Sequence, residues 1–228
     1  MILRILNRFA SKKLAFPNPS RKFSIMGSDW PTSYKFIWID CEASKKSIKT
    51  KSLKFLCFKQ LFAPKMTGLN HEVDTLLEVA CIVTDSNLNE MSEGLRVVIH
   101  QPKEILEKMN EWCQKTHHKT GLYQACLESK SSIKEAEQQL LTFVRKHTKK
   151  GKCYIAGNSV YMDVLFLKKY MPELVNHAHY RLLDVSSLKI LSSCWYKCSY
   201  DKKYLHEAMS DIKESIEELK YLRENIFK

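Results

Sequence analysis

The chain has 228 residues, of which 44% are apolar, enough for one core with an appendage, or at most two small domains. No apolar run approaches the roughly 18 residues of a membrane span. The net charge of +12 is concentrated in two places: residues 1–28 carry Arg4, Arg8, Lys12, Lys13, Arg21 and Lys22 with no acid, and residues 43–65 carry seven lysines with no acid. What is left is close to neutral, so bulk charge gives no reason to expect a long polyanionic partner, and phosphate binding must come from a local site.

In chain order, residues 1–28 read as a mitochondrial transit peptide: basic, rich in Ser, free of acids, with an amphipathic start at Ile2–Leu6 and Phe9. A disordered basic arm is the other reading. Met26 offers a start for a cytosolic form. The remainder, 29–228, reads as a single domain. Tyr34–Asp40 (YKFIWID), Leu76–Asp85 and Leu95–His100 have the β-branched and aromatic content of strands, and three strands in succession suggest an antiparallel meander. Pro102 to about Cys113 reads as a helix with Ile105, Leu106, Met109 and Trp112 on one face. The capping box Ser132-Ile133-Lys134-Glu135 opens a helix to about His147. Then follow a strand at Cys153–Ala156, a helix from Met162 to Tyr170, a strand at Leu182–Val185 and a helix over Ser186–Cys194. A last helix spans about Ser210–Asn225. The order gives a mixed α/β domain. The eight cysteines include no C-x-x-C pair and read as reduced thiols.

Several acids stand where chemistry is done. Asp40 and Glu42 end the first strand two residues apart, so both project to one side, and carboxylates there call for a compensating charge. Solvated loop acids are the plain alternative. Asp163 follows a Gly-Asn-Ser turn at a helix start, and Asp211 opens the last helix five residues after His206. Each alone is accounted for as a helix-start acid. As a set, D-x-E, an Asp after G-N-S and H-x-x-x-x-D match the DEDDh exonucleases. Four carboxylates suit two divalent cations, Mg²⁺ or Mn²⁺, and a histidine suits removal of a proton from water.

Within that superfamily the sequence resembles the oligoribonucleases over 34–42 and 66–228. The resemblance rests on MTGL at 66–69, EVACIVTDSNLN at 78–89, GNSV at 157–160, FLKKYMP at 166–172, HYRLLDVSSLK at 179–189 and ELKYLRENIFK at 218–228. It implies an RNase H-like fold: a meander of three antiparallel strands plus parallel strands, flanked by helices. It also implies a homodimer and 3′→5′ degradation of very short single-stranded RNA, about 2–5 nucleotides with dinucleotides favoured, to nucleoside 5′-monophosphates. By matching positions, Asp40, Glu42, Asp163 and Asp211 are the implied metal ligands and His206 the general base. Met66, Thr67, Leu69, Trp112, Asn158, Ser159, Tyr180 and Arg181 are the implied substrate contacts, the last two in an H-Y-R element where a partner subunit assists at the 5′ phosphate. Leu69 and Trp112 also read as plain core residues, and Tyr180 as a packing residue.

The sequence departs from that pattern in two places. Between Glu42 and Met66 stand the 23 residues Ala43–Lys65, which interrupt an otherwise continuous D-x-E-M-T-G-L. They read as translated intron, or as a surface loop whose Leu53–Phe62 suits a membrane surface or a partner. At a junction where catalytic geometry tolerates about 1 Å, the interruption predicts impaired substrate placement. An inactive homologue that binds metal or nucleotide, or serves as a dimerising partner, is the competing reading. The second departure is Glu207, acidic where the family has a basic residue, which predicts a raised pKa for His206.

Overall fold

The computed structural model describes residues 35–40, 66–202 and 207–227, with Asp40 described in its backbone alone. Residues 1–28 and 43–65, together with Glu42 and His206, lie outside the described residues.

Strand β1 (Lys35–Asp40) is the centre of a five-stranded sheet. Its alternation sends Ile37 and Ile39 into the larger core and Trp38 into a second core on the opposite face, as a period of two requires. Strand β2 (Glu78–Thr84) pairs antiparallel with β1 and with β3 (Leu95–Val98). β4 (Cys153–Gly157) pairs parallel with β1, and β5 (Leu182–Asp184) parallel with β4. The order is β3-β2-β1-β4-β5, the expected meander with parallel strands added. Every residue of β2 is buried, because helices cover both faces. Trp38 satisfies its indole N–H on the Thr84 hydroxyl at 3.0 Å.

The helices differ from expectation in three ways. The single helix expected over Pro102–Cys113 is two: α1 (Lys103–Glu107) and α2 (Glu111–Lys119). Asn110 divides them, its side chain accepting from Cys113 N–H at 3.1 Å, an N-cap bond that competes with continuation of the preceding helix. α3 (Leu122–Glu128) and α6 (Pro172–His177) were not expected; both are shorter than the window in which a helical period declares itself. The capping box holds and opens α4 (Ile133–His147), and α5 (Tyr161–Tyr170) follows β4. The helix expected over Ser186–Cys194 is α7 (Val185–Leu191), which passes into one π-helical turn at Ser192–Tyr196 and a left-handed Lys197 (φ 52°). α8 (Ala208–Ile226) lies over β1 and β2 on the Trp38 side.

The six described cysteines are free thiols, four of them buried. Burial pushes the Cys126 thiol up to about 12 and raises that of Cys81, so both stay protonated and inert.

His177 closes α6 against α4. Thr148 gives its one hydroxyl proton to the Val144 carbonyl (2.8 Å), so its oxygen accepts from His177 Nε2 (2.8 Å). Burial, then the charges of Arg145 and Lys150, lower the His177 pKa below its ordinary 6.5. The neutral ring belongs to the folded state. As pH falls through 6.5 the unfolded chain takes the proton first, and stability is lost until the folded pKa is reached. The urea midpoint should therefore fall more between pH 7.5 and 5.5 in the wild type than in His177→Gln. Equal falls would remove His177 from the acid response.

Candidate active site

The site is built where the carboxyl ends of β1 and β4 meet, the usual ligand position in a sheet with parallel strands. Gly157 ends β4 so close to β1 that a Cβ there would stand 3.0 Å from the Ile39 carbonyl oxygen. The backbone of Asp40 and the turn after β4 are therefore neighbours. In that turn Ser159 adopts φ 57°, a conformation costly for a residue with a Cβ. Asp184 at the end of β5 holds it, one carboxylate oxygen accepting from Ser159 N–H and Ser186 N–H, both at 2.9 Å. α5 starts from this turn and places Asp163 in its first turn, only 5% exposed.

α8 brings the second acid. Asp211 lies in its first turn, and its Oδ2 is buried with no hydrogen-bond partner among the described residues. Ser215, one turn on, donates to the Asp211 carbonyl (2.8 Å) and accepts from Asn158 Nδ2 (2.7 Å). The first turn of α8 is thus tied to the turn that leads into Asp163. Of the five residues with implied roles at the metals, only Asp163 and Asp211 are described with side chains, and no three His, Cys, Asp or Glu form a metal-sized cluster among the described residues. The two that are described fit a cation: hard oxygen donors, removed from water, one with an orphaned oxygen that a divalent ion would compensate.

The turn starting at Met66 is fixed from its downstream side. Met66 is fully buried, pairs with Leu76 in an isolated bridge, and its carbonyl accepts from Cys113 Sγ (3.3 Å). Asp74 organises the rest, accepting from the Thr67 hydroxyl (2.9 Å) and from Asn70 N–H (2.9 Å). A Cβ on Gly68 would collide with the Asp74 carboxylate. Gly68→Ala should cost about 1–3 kcal/mol, as overpacking does, and raise KM for a short RNA by freeing Thr67. Urea denaturation and initial rates check both parts, and an unchanged KM would separate this turn from substrate binding.

The other implied contacts divide. Leu69 is half-buried against the larger core and Trp112 half-buried against the cluster of Leu77, Leu106 and Cys113. Asn158 is committed inward: Nδ2 donates to Ser215 and to Glu218 Oε2 (3.1 Å), and Oδ1 accepts from Ser186 (3.1 Å). Ser159 Oγ shares a hydrogen bond with Ser186 Oγ (3.1 Å). Tyr180 is 80% exposed, stacked on His179, with the Arg181 guanidinium 5.5 Å from its ring centre. It does not pack into the core of its own chain. The Glu207 carboxylate accepts from Ser210 Oγ (3.2 Å) and adds to the field on Arg96, which pairs with buried Glu78 beside a cavity of about 230 Å³.

Sequence reasoning missed Asp74, Asp184, Ser215, Glu218 and Lys202. For two of them a signal existed: Asp211, Ser215 and Glu218 stand at i, i+4 and i+7, one helix face beside Ile212, Ile216 and Leu219.

Comparison with known proteins first gives the fold. The fold is that of exonuclease I: the enzyme from Methylocaldum szegediense superposes with a TM-score of 0.58 over 86% of this chain, at 14% identity. This chain spans about two fifths (41%) of that one. Residues 66–219 match the RNase_T exonuclease family model. The chain belongs to the oligoribonuclease family. It is 47% identical to the mitochondrial oligoribonuclease of Homo sapiens over 168 residues, 72% of this chain and 71% of the other. It is 46% identical to a probable oligoribonuclease of Caenorhabditis elegans over 195 residues, 85% of this chain and 89% of the other.

Proposed function

We propose that the chain is a 3′→5′ exoribonuclease that degrades very short single-stranded RNA, dinucleotides above all, to nucleoside 5′-monophosphates. The observation that supports this reading is the burial of Asp163 in the helix that starts from the turn after β4, together with the partnerless buried oxygen of Asp211, whose helix turn is tied to that same turn through Ser215 and Asn158. Asp40, Glu42, Asp163 and Asp211 would hold two divalent cations, Mg²⁺ or Mn²⁺. When bound, these ions lower the pKa of water and stabilise the leaving oxygen. His206 takes the proton of the attacking water on a ring nitrogen. Met66 and Thr67 hold the terminal nucleotide through their backbone, Leu69 is a wedge between the two bases, and Trp112, Asn158 and Ser159 make further substrate contacts. Tyr180 and Arg181 act at the 5′ phosphate with a second copy of the chain. Exposed Tyr180, just before β5, with Leu182, Leu191, Trp195 and Tyr196, on β5, α7 and the π turn, support a homodimer, since exposed apolar surface of this kind marks interfaces. The basic segment 1–28 and the mitochondrial relative support a matrix location, with Met26 starting a cytosolic form. No described helix is long and apolar enough to cross a membrane.

The test is incubation of the purified chain with Mn²⁺ and a 5′-phosphorylated RNA dinucleotide or a 20-nucleotide RNA. Rapid release of monophosphates from the dinucleotide, with slow attack on the longer strand, is expected. Preference for the longer strand would overturn the substrate assignment. A second reading, a homologue that folds and binds metal or nucleotide but cuts poorly, or acts only as a dimerising partner, is favoured by one feature, Ala43–Lys65 between Glu42 and Met66. Mn²⁺ binding without hydrolysis would establish it.

A further inference from the structure

Glu218 is fully buried, yet three segments meet on it. Its Oε1 lies 3.0 Å from Lys189 Nζ of α7, and its Oε2 lies 3.0 Å from Lys202 Nζ and 3.1 Å from Asn158 Nδ2. Lys202 Nζ also donates to Ser215 (3.2 Å), and the Lys202 side chain is only 9% exposed. A buried carboxylate shared by two ammonium groups and an amide is a charge that removal of one partner leaves unbalanced, so it holds its partners in one arrangement. The partners are not random surface groups. Asn158 heads the turn into Asp163, Ser215 is bonded to the Asp211 backbone, and Lys202 is four residues ahead of His206 in the sequence. A lysine whose charge served only solubility would lie in water, where exposed pairs count for little.

We propose that Glu218 and Lys202 are positioning residues for hydrolysis: the Lys202–Glu218 pair is a strut that ties the Asn158 turn, which leads into Asp163, to Ser215 and the first turn of α8, which carries Asp211. The proposal rests on the exonuclease reading above. It assigns Lys202 an effect on kcat, through the turns that carry Asp163 and Asp211, and little effect on nucleotide affinity, because Asn158 keeps its bonds to Ser215 and Ser186 without it.

The experiment uses the full chain and the variants Lys202→Met and Lys202→Arg, with two readouts. Dinucleotide hydrolysis across pH should show kcat lowered about tenfold or more in Lys202→Met, with KM within about twofold, and recovery of most of kcat in Lys202→Arg. Hydrogen exchange followed by mass spectrometry should show the 200–207 peptide exchanging faster in Lys202→Met than in wild type and Lys202→Arg, while peptides of β1 and β2 stay unchanged. An unchanged kcat in Lys202→Met, or a fall in kcat with 200–207 exchange unaltered, overturns the strut. A general speeding of exchange over the whole domain also overturns it, since Lys202 would then be only a stabilising residue. If the wild type does not cut the dinucleotide, the exonuclease reading fails by itself, and unaltered exchange at 200–207 still refutes the strut.

Discussion

Removing Ala43–Lys65 is expected to raise kcat/KM for a 5′-phosphorylated RNA dinucleotide by about 10²-fold, the amount a misplacement of ~1 Å commonly costs. The reasoning is local. The turn that starts at Met66 is held by contacts with described residues further along the chain: Met66 by Leu76 and Cys113, Thr67 and Asn70 by Asp74. β1 is held equally well, paired on both sides. Both described ends of the interrupted motif are thus fixed by the fold, and the expected loss is assigned to Glu42, which in the sequence adjoins the 23 inserted residues. Thermal stability should change little and the rate should change greatly. Equal rates for the two forms would make Ala43–Lys65 a tolerated loop. A rate lost on deletion would make the segment part of the working enzyme.

Asp211→Asn should separate stability from activity. In the metal-free chain the wild-type carboxylate keeps one oxygen buried without a hydrogen-bond partner among the described residues, so an uncharged amide should raise metal-free stability, by about 1–2 kcal/mol on the usual cost of such a group. Mn²⁺ should raise the Tm of the wild type, by binding the folded state, and raise that of the variant far less. Hydrolysis should fall about 10³-fold or more, as several kcal/mol of transition-state stabilisation is forfeited. Gains in stability with losses in function are the signature of a site that carries unfavourable charge for a purpose. If Asp211→Asn instead lowers metal-free stability and leaves the Mn²⁺ shift intact, Asp211 is a helix-start acid and nothing more.

The parts of this molecule that were legible in its sequence are those with long or repeated signals. YKFIWID and the β2 run declare strands by composition, the Ser132–Glu135 box marks the start of α4 to the residue, and the quoted motifs carry the family. What was not legible depended on contacts far apart in the chain. Asn110 reads as one more polar residue within a helical period, until its side chain is seen capping α2. Asn158 matches a substrate contact by position, yet both its amide protons go to Ser215 and Glu218, some 60 residues away. Glu218 stands in a Glu-rich helix, and its partners Asn158, Lys189 and Lys202 all come from other segments. Tyr180 read equally well as a packing residue, and only the fold shows it standing in solvent on its own chain.

The central place of β1 also bears on how the chain reaches its native state. β1 is the strand to which both β2 and β4 pair, and its link to β2 runs from residue 41 to residue 77. Without Ala43–Lys65 that link would be 14 residues instead of 37, a difference in closure entropy of about 0.9 kcal/mol, or roughly a fourfold delay in the arrival of β1 if the loop closes in the rate-limiting step. Until it arrives, β2 and β4 each present an apolar strand with an open edge, the arrangement most prone to pairing with another chain. The same 23 residues expected to slow the chemistry should therefore lengthen the interval in which the nascent protein is exposed to aggregation, and recovery of soluble protein should depend on temperature and concentration more steeply with them than without.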